Sequence, residues 1–349
     1  MHFTLIEPQD PRWTSFLAGT AHDVYHKPGY VRLLARERQM QPYACIGGSD
    51  TAGFFLPLLI SRIPEKLGLE TDLRDAQSPD GYPTPLFAGD PASLPETLRS
   101  LMSFLRHERI ITAFIRTHPL LGIAPHDFEE IGDVVERGHT VAILLDAPYD
   151  EILLRMRQGH RYEIRRALER GYRTSIDQWD LFPHFVRFYR QLMDRVDATE
   201  SYRFSDAYFR DFRKALGDSA HLVVAETRDG APAAAALFTE TGGLIQYHLA
   251  AGDPAFESDA VQKVAVDGII RWGLKHLAST VHLGGGVGAR DDSLLHFKAG
   301  FGEEKRTYST IHLAPDPPAA GRAEDAWRAF HGGLAPQSGF FPAYRSLSV

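Results

Sequence analysis

Residues 244–286, LIQYHLAAGDPAFESDAVQKVAVDGIIRWGLKHLASTVHLGGG, decide the fold of this 349-residue chain. Residues 244–250 read as a strand, 259–277 place their apolar residues at helical spacing, and 280–283 form a second short apolar strand. Upstream, 221–238 (HLVVAETRDGAPAAAALF) reads as strand, Asp-Gly turn, strand. The whole segment is thus an antiparallel meander, then a helix, then a strand that must return beside the last strand of the meander. A similar order occurs earlier, with strand, turn and strand over 43–60, helical spacing over 95–108 and a strand over 110–117. The repetition predicts two copies of one α+β unit, joined near 150–165.

The composition narrows the function classes. A net charge of −7 argues against a general nucleic-acid binder and against a DNA partner. The single Cys45 leaves no intrachain disulfide framework and suits a reducing compartment. The longest apolar run, GFFLPLLI at 53–60, is too short to span a bilayer and reads as a buried strand. The N-terminus has neither the basic nor the apolar region of a secretion signal. The expectation is a cytoplasmic protein without membrane insertion. No histidine cluster carries the partner ligands of a metal site, and no nucleophile elbow, Walker loop or dinucleotide fingerprint is present. Charge is uneven, with seven arginines between Arg155 and Arg173 against Glu163 and Glu169. They form either a solvated helix face with pairs such as Arg165 and Glu169, or a phosphate-facing patch.

The stretch HLGGGVGARDDSLLHFKAGFG, 282–302, carries the candidate chemistry. Gly284, Gly285 and Gly286 either offer N–H groups to a donor carbonyl or turn the chain. Asp292 reads as the cap of a short helix and Gly300 as its end, which puts Leu294 and Leu295 on the face of Lys298. Lys298 then either emerges from an apolar wall, where its field is strong, or reaches outward to Glu303 or Glu304. Asp292 is also the candidate for a base. Tyr247 and His248 point to opposite faces of a central strand. Arg116, Arg161 and Arg165 could hold an anionic acceptor through their planar guanidinium groups.

Taken together, the meander, helix and returning strand resemble the core of the acetyltransferase-like (GNAT) fold, in which two central strands splay apart around an acyl donor. That resemblance puts the splay between 244–250 and 280–283, with the glycine run at its mouth. The pyrophosphate loop of acetyl-CoA-using members is missing. GDPAFESDA at 252–260 stands in its place, and its acids would repel a phosphate.

More specifically, SPDGYPTPLF (78–87), FIRTHPLL (114–121), RYEIRRALERGY (161–172) and LGGG followed by HFKAGFG make the chain resemble the Fem family of peptidoglycan-bridge aminoacyltransferases and its Fem-like relatives. The resemblance implies an α+β protein with mixed sheets and two GNAT domains in tandem: 1–150, 151–315 with the acyl-transfer site, and a Pro/Gly-rich extension over 316–349. It implies an amide-forming N-acyltransferase that moves an aminoacyl group, with charged tRNA as donor, to an amine of a cell-wall precursor or natural-product intermediate. Phe297 and Lys298 match the family's Phe-Lys pair and inherit its catalytic role. Gly284, Gly285, Gly286, Tyr247 and His248 fall to the donor. Tyr82, Lys27, Tyr30, Arg116, Arg161 and Arg165 fall to the acceptor. No bound cofactor is expected, the acyl donor being a co-substrate. Asp80 and Thr84 depart from the family's glycine-tyrosine loop. An acyl-CoA or acyl-carrier donor on the same fold, and a non-catalytic ligand-binding protein, are the alternatives.

Overall fold

The computed structural model describes residues 2–48, 53–302 and 304–346. In chain order its elements are β1 (Phe3–Ile6), α1 (Pro11–Ala18), α2 (Pro28–Arg38), β2 (Gln41–Gly48), β3 (Gly53–Arg62), β4 (Arg74–Gln77), β5 (Leu86–Ala88), α3 (Leu94–His107), β6 (Ile110–Arg116), β7 (Asp133–Leu144), α4 (Tyr149–Arg155) and α5 (Gln158–Glu169). They continue with β8 (Arg173–Ile176), α6 (Phe182–Arg195), α7 (Asp206–Leu216), β9 (Ala220–Glu226), β10 (Pro232–Thr241), β11 (Leu244–Gly252), α8 (Val261–Lys275), β12 (Thr280–Gly285), α9 (Ser293–Lys298), β13 (Glu304–Leu313) and α10 (Pro317–Phe330). The turn expected between β2 and β3 falls at 49–52, outside the described residues.

The chain divides into two compact units, one of Met1–Arg137 with Tyr308–Val349 and one of Gly138–Thr307. This differs from the division at 150 and 315 read from the sequence, and the reason is an exchange of strands. β7 leaves the first unit and pairs antiparallel with β12, from Thr280↔Leu144 to Gly285↔Thr140. β13 returns and pairs antiparallel with β6, Thr310↔Arg116 to Leu313↔Ala113. Each unit is completed by a strand that follows the other unit's core in sequence.

Both units repeat the expected motif. In the first, β1, β2, β3 and β4 are antiparallel neighbours, α3 crosses over, and β6 lies parallel to β4. In the second, β8, β9, β10 and β11 are antiparallel neighbours, α8 crosses over, and β12 lies parallel to β11. The second unit's core is shaped by small residues. Ala233 to Ala236 on β10 are fully buried, and Ala233, Ala234 and Ala236 share a cluster with Val264, Ile269 and Ile270 of α8. Burying side chains of this size stabilises by roughly 1.5–3 kcal/mol each. In the first unit α3 buries Leu94, Leu98, Leu101 and Leu105 against Phe54, Leu56 and Leu58, the run read as a buried strand.

The segment 316–349 is helical at its start. α10 buries Ala319, Ala323 and Trp327 beside Ile63, Leu67, Leu73 and Tyr344 in the first unit. Phe341 stacks on His312 with centroids 4.4 Å apart, whereas Phe340 stays 42% exposed and does not pack back with Phe341 and Tyr344.

Candidate active site

The parallel ladder between β11 and β12 has three pairs, Leu244↔Thr280, Ile245↔Val281 and Gln246↔His282. The third is reinforced by a 2.8 Å hydrogen bond between the His282 ring Nδ1 and Gln246 Oε1. Past it β11 continues to Gly252, paired with β10, while β12 follows β7 through a register shift at His282/Gly284. The strands part where the sequence placed the splay.

Three residues beyond that point the carbonyl of Gly285 accepts a 2.7 Å hydrogen bond from Lys298 Nζ. Lys298 is 8% exposed, so it points inward and not to Glu304; Glu303 lies outside the described residues. Burial lowers the Lys298 pKa to about 8, and the Asp292 charge opposes that shift. Leu295 is buried, as Lys298 is, but Leu294 is 37% exposed and contributes no inner wall.

Asp292 caps α9. Its Oδ1 accepts from Leu295 N at 2.9 Å, and its Oδ2 accepts from Val287 N at 2.8 Å. Burial alone would raise its pKa, but N–H groups of Leu295, Val287 and Leu294, with the Lys298 charge, bring it below the usual value. Both oxygens of the carboxylate are therefore committed to tying the loop to α9. Gly284 has φ +73°, and a Cβ on Gly286 would lie 2.2 Å from the Arg290 carbonyl and 2.4 Å from Asp292 Oδ1, so no side chain fits between loop and cap.

The helix ends at Lys298 with Ala299 as its cap, so Gly300 stands just past the end as expected, but its φ is not left-handed. Gly300 answers to close approach instead, since its Cβ would meet the His160 ring at 2.2 Å. His160 Nε2 also lies 2.9 Å from the Phe297 carbonyl, and its ring meets Phe301 edge-on at 4.7 Å. Phe297 packs on Phe301 at 5.3 Å as part of the core cluster. His160 is a residue that sequence reading missed, because 140 residues separate it from its partner glycine.

The other donor candidates separate from this group. Tyr247 donates to Gln262 Oε1 on α8 at 3.3 Å, while the His248 ring bonds the Tyr208 hydroxyl of α7 at 2.8 Å and stacks on Phe212. The two side chains face opposite layers, as the strand alternation requires. The acids of 252–260 are paired: Asp253 with Arg187 at 3.5 Å, Glu257 with Arg195 at 3.1 Å and Asp259 with Arg170 at 2.5 Å. The repulsion expected from them is neutralised.

In the first unit Tyr30, Arg116 and Tyr82 surround the loop at 78–87. Asp80 binds Arg38 at 2.6 Å and Arg116 at 3.5 Å, and its carbonyl accepts the Tyr30 hydroxyl at 2.9 Å. Tyr82 meets Tyr25, His118 and Tyr308 edge-on at 6.0, 6.0 and 5.2 Å. Lys27 is the N-terminal cap residue of α2, half-buried. The His118 ring accepts from Leu120 N through Nδ1, so Nε2 carries the proton and donates to Asp23 at 3.1 Å inside the unit. Tyr25, Tyr308 and the His118–Asp23 pair gave no sequence signal beyond the THP tripeptide at 117–119. Arg161 and Arg165 lie on α5 in the second unit.

Among the described residues no group of His, Cys, Asp and Glu could hold a metal ion, and no helix is long and apolar enough to cross a membrane.

Residues 155–298, ending on Lys298 itself, match the family model of the acetyltransferase (GNAT) domain. With the duplicated motif, this describes a chain of two tandem units that share the GNAT fold. The fold is similar to that of FemX, with a TM-score of 0.67 at 15% identity over 92% of this chain and 99% of FemX. It is similar to the C-terminal domain of a putative lysylphosphatidylglycerol synthetase from Agrobacterium fabrum, with a TM-score of 0.58 at 14% identity over 93% of this chain and 96% of that domain. L-PGS from Bacillus licheniformis gives 0.55 at 13% identity over 90% and 95%. At these identities the likeness is one of fold. No curated protein sequence matches the chain.

Proposed function

We propose that this protein is an amide-forming N-acyltransferase that moves an aminoacyl group from aminoacyl-tRNA to the amine of a small acceptor, a cell-wall precursor or natural-product intermediate. The carrying observation is Lys298, an ammonium buried beside the parting of β11 and β12 and tethered to the Gly285 carbonyl. One of its three protons is used by that carbonyl, and two remain for a ligand. With a pKa of about 8 it is mostly cationic at neutral pH.

The acceptor amine attacks the ester carbonyl, the new C–N bond forms, and the carbonyl electrons move to oxygen. Lys298 stabilises that oxyanion, an effect of roughly 3–4 kcal/mol for a pre-organised donor in a dry site. Collapse restores the C=O bond and breaks the bond to the ribose oxygen, which takes up the proton the amine releases. Asp292 serves as the brace that holds α9 and its lysine against the glycine loop. Likeness in fold to FemX, and to proteins named for making an aminoacylated product, supports an aminoacyl donor.

The test presents purified protein with mixed aminoacyl-tRNAs and candidate amines and follows amide product by mass spectrometry, with and without ribonuclease. Product lost on ribonuclease treatment is the expected result; ribonuclease-resistant product overturns the tRNA donor.

A thioester donor is the second reading. The first turn of α8 has no side-chain cap, and the acids before it are neutralised by arginines, so a pyrophosphate is not repelled there. Thiol release from an acyl-CoA panel would move the assignment to it.

A further inference from the structure

We propose that the exposed face of α5 is the surface on which the RNA of the donor lies; the inference rests on the aminoacyl-tRNA reading above. Helix α5 buries His160, Ile164 and Ala167 and turns Arg161, Tyr162, Arg165 and Arg166 outward along one stripe, with Tyr162 60% exposed. Its start is fixed to the lysine-bearing segment. Arg157 N donates to the Gly300 carbonyl at 2.9 Å, the Arg157 guanidinium contacts the His296 ring, and His160 contacts the Phe297 carbonyl. The stripe therefore begins beside α9 and leads away from it for about 18 Å, the length of twelve helical residues.

The charges along this segment are unequally spent. Arg155 pairs with Asp146, Arg170 with Asp259, and Glu163 with Lys263. Among the described residues Arg161 reaches the Leu154 carbonyl, and Arg173 the carbonyls of Leu168 and Tyr172, without an acidic partner. Arg165 and Arg166 have no ion pair among the described residues, so the Arg165–Glu169 pair that the solvated-face alternative offered is absent there. Glu169 is exposed on the same face, yet with seven arginines against Glu163 and Glu169 between positions 155 and 173 the segment keeps an excess of positive charge on a chain of net charge −7. Guanidinium groups one turn apart suit successive backbone phosphates, and an exposed tyrosine among them offers a face on which a base can stack. A bilayer surface fits less well, because among the described residues of this segment the large exposed apolar side chains are Tyr162 and Leu154. The assignment moves Arg161 and Arg165 from the acceptor to the donor.

The experiment measures fluorescence anisotropy of a labelled RNA hairpin with a single-stranded 3′ tail, titrated with the full chain at several salt concentrations. Arg165→Ala with Arg166→Ala should weaken binding about tenfold or more and lower the log–log salt slope by roughly 1.5 to 2. Tyr162→Ala should weaken it about tenfold with the slope unchanged. Lys298→Ala should bind the hairpin as the parent does while losing amide product. Variants that bind like the parent overturn the surface, as does a parent that binds phosphatidylglycerol vesicles and not RNA. If the stripe variants lose RNA and Lys298→Ala keeps turnover, the surface stands and the catalytic reading falls. If Lys298→Ala loses turnover and the stripe variants keep RNA, the reverse holds.

Discussion

In the first unit β4 and β6 stay clasped after their ladder ends: Ser78 N donates to the Phe114 carbonyl at 2.7 Å, and Ser78 Oγ accepts from Arg116 N at 2.9 Å. β6 then runs into Thr117 and His118, both buried, the first bonded to Ser309 of β13 and the second to Asp23. In the second unit the matching strands part after His282, and β12 runs into glycines and a short helix carrying a buried lysine. One motif has its gap stitched shut with neutral hydrogen bonds and a His–Asp pair. The other leaves its strands parted and sets a buried ammonium beside them. Among the described residues that ammonium has one hydrogen-bond acceptor, the Gly285 carbonyl, with the Asp292 charge nearby.

Lys298→Ala gives the largest effect that would break this contrast, a loss of about 10² or more in kcat with the fold retained. Unchanged turnover would make the second unit as structural as the first. The same lysine carries a stability signature. Its folded pKa of about 8 lies below the usual Lys value, so between about 8 and 10.5 the folded state binds fewer protons than the unfolded. Stability from this group therefore rises with pH across that window, and the cost of the buried charge is fully present below it. Lys298→Met should be more stable than the parent at pH 7 by up to roughly 3 kcal/mol, and the gain should vanish above pH 10.5 in thermal melts.

His118→Ala should show the opposite pattern. It removes one partner of the buried Asp23, which keeps the Val24 N–H, and should cost about 1–3 kcal/mol of stability while the folded protein keeps its kcat. A kcat loss matching that of Lys298→Ala would show that both units do chemistry. Gly300→Ala drives a Cβ into the His160 ring and should cost about 1–3 kcal/mol; His160→Ala in the same chain should recover part of it. Asp292→Asn has the smallest effect. Removing the charge that holds the Lys298 pKa up should move the alkaline limb of the rate profile to lower pH. A limb that stays in place would separate that limb from Lys298.

Much of the architecture was legible before any coordinates. Helical spacing marked α3 and α8, alternation and the Asp-Gly turn marked β9 and β10, and the parting of β11 from β12 falls where the motif order put it. The errors share a cause. Gly300 looked like a left-handed cap and proved to be a contact with a ring 140 positions away. The acids of 252–260 looked repulsive because Arg187, Arg195 and Arg170 lie far from them in sequence. Leu294 looked inward because its spacing of four from Lys298 was read as a shared buried face, whereas it is 37% exposed.

The sequence by itself determined what depends on neighbours along the chain: two repeated α+β units, the cap at Asp292, and the placing of a lysine after a glycine run. Local periodicity and turn chemistry act over a few residues and are written in order. Tertiary structure alone decided where β7 and β13 pair, which arginines keep a free charge, and that Lys298 turns inward to the Gly285 carbonyl. Those outcomes depend on which distant groups meet and on how much water leaves when they do, and neither quantity has a period in the sequence.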